Sequence, residues 1–187
     1  MRLACFLRTA TLSLLLAVSA SGLSLAEEGS VPEPSDYRMD DFRTPVPKTL
    51  AGATVLTADA AEKLWKEKKA LFIDVFPKAP KPANLPGSTI WRDPTHMSID
   101  GATWLPNVGY GAPTPEQADY FKTRLEALTS NDKSRPVVLF CLRNCWMSWN
   151  AAKRALSMGY TNVHWFPDGA DGWQEIGNEL VYLKSYP

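Results

Sequence analysis

Between positions 137 and 156 the chain reads "VVLFCLRNCWMSWNAAKRAL". An apolar run ends at Cys141, Cys145 follows four residues later, and Trp146 comes directly after it. A thiol placed where a strand gives way to a helix meets unpaired backbone N–H groups and the positive end of the helix dipole. Both favour thiolate over thiol, so Cys141 is expected to act as a nucleophile of lowered pKa. Arg143 reinforces this if its side chain turns inward. A separation of four residues also allows the ~4.4–6.8 Å between Cα atoms that a disulfide needs. Two other uses of the thiols stay open. A plain stapling disulfide is one, although so short a loop gains little on the chain-entropy model and a domain of this size seldom needs it. A zinc site with His96 and His164 is the other, although neither histidine has partner spacing on a helix. No metal and no cofactor is expected.

What two thiols can do depends on the compartment. The N-terminus, "MRLACFLRTATLSLLLAVSASGLSLAEEGS", has Arg2 and Arg8 before a short apolar core, and Ser24 and Ala26 fit the small-residue cleavage rule. This reads as a secretory signal over residues 1–26, so a periplasmic protein is expected, with no membrane span once the signal is removed. Cys5 leaves with the signal. The full chain balances 20 basic against 20 acidic residues. Loss of the two signal arginines leaves a slightly acidic protein, with no electrostatic reason to meet nucleic acid or a membrane surface. Residues 27–50 are Pro-rich and charged and read as an extended leader packing loosely on a single domain over 51–187.

Within that domain the pattern alternates. Thr57 caps a helix carrying Ala61, Leu64 and Trp65 on one stripe, and "ALFIDV" is a short buried strand ending near Asp74. "PKAPKPANLPGSTIW" has too many prolines for regular structure. "TPEQADYFKTRLEAL" is a helix with Thr114, Pro115 and Gln117 forming its start. "RPVVLF" is a strand, "WNAAKRALSMGY" a helix stopped at Gly159, "NVHWF" a strand and "DGADGW" a Gly-rich turn. Continuous apolar strands between helices predict an α/β fold with a mainly parallel central sheet. Ligands then bind beyond the carboxyl ends of strands, where Asp74 and Cys141 both fall, although Asp74 could equally cap a turn. Trp104, Trp165 and Trp173 read as packing residues. Trp146 and Trp149 are expected to be exposed near the site, because Ala152, Ala155 and Leu156 carry the apolar face of their helix. A fused-ring quinone could stack there.

Four strings, "LTADAAEKLWKEKKALFIDV", "SIDGATWLPN", "PVVLFCLRNC" and "GYTNVHWFPDGADGW", occur in the order found in rhodanese-like domains. The resemblance covers roughly residues 54–175. "CWMSWNAAKRA" with "WLPNVGYG" resembles, more narrowly, the PQQ-dependent catabolism-associated CXXCW motif proteins, which are exported and associated with quinoprotein alcohol oxidation. The resemblance implies that Cys141 is the nucleophile and that Leu142, Arg143, Asn144, Trp146, Met147 and Ser148 form the loop that cradles a persulfide or an anionic donor. It places the strand-end aspartate on Asp74 and the family's "IPGA" segment on Ile99 to Ala102, with Leu85 to Ser88 as the rival placement. The loop to Ser148 is one residue longer than in many single-domain rhodaneses, lacks glycine and contains bulky Trp146. Phe76 stands where a basic residue is common, and three residues rather than two separate the cysteines. These departures point to disulfide chemistry, with Cys145 resolving, rather than to ordinary thiosulfate transfer. The implied partners are a small sulfur donor or a protein thiol, and a periplasmic quinoprotein dehydrogenase or its cytochrome.

Overall fold

The computed structural model describes residues 31–92 and 95–187. The expected signal segment 1–26, with Cys5, lies outside them. Among the described residues the order is β1 (Thr54–Val55), α1 (Ala58–Lys66), β2 (Leu71–Asp74), β3 (His96–Ser98), β4 (Thr103–Trp104), α2 (Pro115–Thr129), β5 (Val137–Phe140), α3 (Trp146–Ser157), β6 (Val163–Phe166), α4 (Gly169–Glu175) and β7 (Val181–Leu183). Five strands form one sheet in the order β1-β6-β5-β2-β4, and every pairing in it is parallel. β3 and β7 pair antiparallel as a separate ribbon. Every side chain of β5 is buried, as a central strand covered on both faces requires.

Each face of the sheet has its own core. Phe72, Val138, Phe140 and Phe166 pack with Ala61 of α1 and Trp173 of α4. Ile73, Leu139 and Trp165 point the other way, against Phe121 and Leu125 of α2 and Trp149, Ala152 and Ala155 of α3. The helix starts obey their capping residues: Thr57 accepts from Ala60 N–H, and Thr114 and Gln117 make the reciprocal capping box.

Three expectations are corrected. "DGADGW" is not a Gly-rich turn throughout: residues 169–173 lie in α4, with Asp168 as its N-cap, and α4 packs beside α1. α3 begins at Trp146 rather than Trp149. Trp146 and Trp149 are not exposed: they are 2% and 0% accessible. The reason lies in residues 31–50. This segment has no helix and no strand beyond an isolated Val31–Pro47 bridge, yet it is held by specific bonds. Arg38 N–H donates to Asn150 Oδ1, Asn150 Nδ2 donates back to Arg38 O, Trp146 Nε1 donates to Thr44 Oγ1, and Trp149 Nε1 donates to Thr49 O. The Arg38 guanidinium sits 5.4 Å from the Trp146 ring. A strap of chain thus covers the side of α3 that the sheet leaves bare. Arg154 closes the same side by donating to Val108 O and Tyr110 O.

Candidate active site

β5 delivers its carboxyl end at the centre of the sheet, and Cys141 is the next residue. Four residues on, Cys145 is the N-cap of α3, and the two form a disulfide with Cα atoms 6.2 Å apart. Both cysteines are buried, at 0% and 1% accessibility. The positive end of the α3 dipole therefore lies nearest Cys145, with Cys141 one loop away.

The loop between them keeps its shape without glycine. Asn144 takes the left-handed conformation, φ 54°, which asparagine tolerates better than most residues. Leu142 bridges to Gly169, and Ala170 N–H donates to Cys141 O at 2.9 Å. This close approach needs Gly169: its φ is +50°, and an added Cβ would stand 2.1 Å from Cys141 O.

Two of the backbone donors that could hold an anion are engaged by the chain itself. Arg143 N–H donates to Asp171 Oδ2 at 2.9 Å, and Trp146 N–H, the first of α3, donates to Phe42 O of the strap at 2.9 Å. The Arg143 side chain does not turn inward to the sulfurs. It pairs with Glu175 of α4 and with Asp168, the N-cap of α4; both hold it firmly protonated, and the guanidinium in turn holds the Glu175 carboxyl below its ordinary value. Of the other expected cradle residues, Leu142 is half-buried, Asn144 is exposed, and Trp146, Met147 and Ser148 are buried. Ser148 Oγ donates to Cys145 O and accepts from Trp165 Nε1, so it ties the helix start to β6.

Asp74 is not brought to the cysteines. It pairs in register with Phe140, one residue before Cys141, so successive side chains project to opposite faces. Its buried carboxylate accepts from Phe76 N–H at 2.8 Å, His96 Nε2–H at 2.6 Å and Ser98 Oγ–H at 2.5 Å. Asp74 thereby caps its own turn and also fastens the β3–β7 ribbon to the sheet. His96, expected as an ordinary surface or strand residue, is a buried partner of this network, while His164 is half-buried on β6. Among the described residues no group of three or more His, Cys, Asp or Glu side chains is arranged to hold a metal ion. No described helix is long and apolar enough to cross a membrane.

Sequence reading missed Asp168, Asp171 and Glu175 as the residues that fix the loop. Their i, i+3, i+7 spacing was the available signal, hidden by two glycines that suggested a turn. Ile99 to Ala102, the preferred placement of the "IPGA" segment, forms the turn between β3 and β4, closed by Ala102 N–H to Ile99 O, whereas residues 85–88 lie in an exposed loop.

With this geometry in view, comparison with known proteins decides the family: the family described as Rhodanese-like domain matches residues 57–176. The chain belongs to the rhodanese-like domain family. Solved structures similar to this rhodanese-like chain include a thiosulfate sulfurtransferase from Pseudomonas aeruginosa, with 18% identity over 71% of this chain and 21% of that one and a TM-score of 0.48. An uncharacterized protein from Saccharomyces cerevisiae shares 16% identity over 67% of this chain and 93% of that one, with a TM-score of 0.43. A polysulfide-sulfur transferase from Wolinella succinogenes shares 19% identity over 70% and 80% of the two chains, also at 0.43. This chain thus spans only about a fifth of the Pseudomonas protein. No curated protein matches it.

Proposed function

We propose that this rhodanese-like protein is exported to the periplasm and carries out thiol–disulfide exchange through Cys141 and Cys145, in the service of a quinoprotein alcohol-oxidation system. The observation that carries the reading is the disulfide itself, which joins the strand-end cysteine to the helix N-cap. In the reduced protein the Cys141 thiolate attacks a partner disulfide and releases one partner thiolate. Cys145 then attacks Cys141 Sγ and expels the second, leaving the partner reduced and this protein oxidised. A sulfane-sulfur donor follows the same path. It leaves a persulfide on Cys141, and Cys145 displaces hydrosulfide as the disulfide closes. Thiosulfate is a poor donor on this reading, because Asp171 and Phe42 O already engage loop N–H groups that an anion would use. The quinoprotein association rests on the likeness of "CWMSWNAAKRA" and "WLPNVGYG" to the CXXCW motif proteins.

The test is trapping. Cys145→Ser, isolated from the periplasm without reductant, should hold a mixed disulfide or persulfide on Cys141, visible by intact mass. Cys141→Ser should trap far less. Heavier trapping by Cys141→Ser would reverse the assignment, in line with the dipole lying nearer Cys145. Burial of both sulfurs favours a second reading, a non-catalytic binding or assembly factor whose disulfide only holds the loop. Equal and empty mutants, both stable, would select it.

A further inference from the structure

A cavity of about 360 Å³ opens at the carboxyl ends of β2 and β4, lined by Phe76, Lys78, Pro80, His96, Trp104 and Tyr110 among others. None of its lining residues belongs to the 141–148 loop, so a ligand held there is independent of the thiol chemistry. His96 is fixed in the cavity wall on several sides. The Phe76 ring stacks on it at 4.8 Å and 7°, the Trp104 ring lies at 4.6 Å, and Asp74 binds its Nε2. Asp74 also receives the Phe76 N–H and the Ser98 hydroxyl, so it serves as acceptor and Nε2 carries the proton. In the neutral ring that leaves Nδ1 as an acceptor. His96 Nδ1 has no hydrogen-bond partner among the described residues, and His96 lines the cavity.

The bond by which Asp74 fastens the ribbon also fixes the orientation of the His96 imidazole. The arrangement is not a hydrolase triad. Ser98 is buried, and both it and His96 bond Asp74 Oδ2 rather than each other. What the cavity offers is aromatic walls and one oriented acceptor. We propose that it binds a small hydroxylated aromatic, a phenol, whose ring packs among Phe76, Trp104 and Tyr110 and whose O–H donates to His96 Nδ1.

The experiment is calorimetric titration of the full oxidised protein with 4-methylphenol and with 4-methylanisole, which has the same ring but no O–H. One hydrogen bond predicts binding of the phenol about tenfold tighter than the ether. His96→Gln should close that gap. Ala79→Trp places a bulky ring at the exposed rim without touching Asp74 or His96, and should weaken both probes several-fold while circular dichroism shows an unchanged fold. Where His96→Gln does not fold, the ratio of the two probes and the Ala79→Trp result decide. Absence of phenol binding, equal affinity of the two probes, a gap that survives His96→Gln, or undiminished binding in Ala79→Trp would each overturn the proposal.

Discussion

Breaking the Cys141–Cys145 bond should cost the fold about 2 kcal/mol and little more. The cysteines are four residues apart, and for so short a loop the chain-entropy relation gives roughly 7 cal/mol/K, or about 2 kcal/mol at 25 °C. Nothing larger is expected, because the loop is also held without the bond. Leu142 bridges to Gly169, Ala170 N–H binds Cys141 O, and Asp171 binds Arg143 N–H. By the thermodynamic cycle, the same quantity is the extra stability the folded chain gives the disulfide over the unfolded chain. On a two-electron couple it corresponds to only about 40–45 mV. A bond so weakly coupled to folding can be opened and closed while the domain stays folded, as an exchange cycle demands. The assay is urea unfolding followed by tryptophan fluorescence, on oxidised protein, on protein in reductant, and on Cys141→Ala/Cys145→Ala. The reduced protein and the double variant should unfold in one cooperative step, with a midpoint lowered by an amount equivalent to about 2 kcal/mol. A loss beyond about 4 kcal/mol, or a non-cooperative reduced state, would refute the reasoning and make the bond a structural staple.

Other expectations are as direct. Asp171→Ala removes the acceptor of Arg143 N–H and should cost about 1 kcal/mol in thermal unfolding, while raising thiosulfate-to-cyanide turnover, because a loop donor is freed for an anion. Gly169→Ala drives a Cβ into Cys141 O at a positive φ and should lose about 3 kcal/mol or more; a loss under about 1 kcal/mol would deny the close approach. Burial holds the His164 imidazole below its ordinary value, so the unfolded chain takes up this proton at a higher pH than the folded one. Stability from this residue is therefore complete above about pH 6.5 and falls as the pH drops through the lower folded value. His164→Gln should flatten that part of a denaturation-against-pH profile.

The α/β class, the three helix–strand pairs whose strands end at Asp74, Phe140 and Phe166, and the strand-end position of Cys141 were legible because each rests on local signals: caps, buried apolar runs and a glycine stop. The short strands β1, β3, β4 and β7 were not, since two or three residues carry no period. α4 was misread because glycines at 169 and 172 mark close approach to Cys141 O and to Asp168 Cβ rather than a turn. The largest departure was the burial of Trp146 and Trp149. Periodicity within α3 shows which face meets the sheet, but it carries no trace of a partner more than a hundred residues earlier, such as Thr44 or Arg38. A separation of 22 and 24 residues likewise hid His96 and Ser98 from Asp74, although the chance of a turn cap at Asp74 was visible.

The strap sets an order of events in folding. The disulfide closes a loop of four-residue separation, whereas Arg38 meets Asn150 across 112 residues. Loop-closure entropy makes the first contact early and the second late. An oxidant therefore finds the thiols before the strap arrives, and once Phe42 O has bound Trp146 N–H the bond is shut behind it. Any later reductant has to wait for the strap to lift. The lifetime of the oxidised state is then set by the opening rate of residues 31–50 rather than by the reactivity of the sulfur, so the same two cysteines act as a timer whose period is tuned by substitutions at Arg38, Thr44 or Asn150.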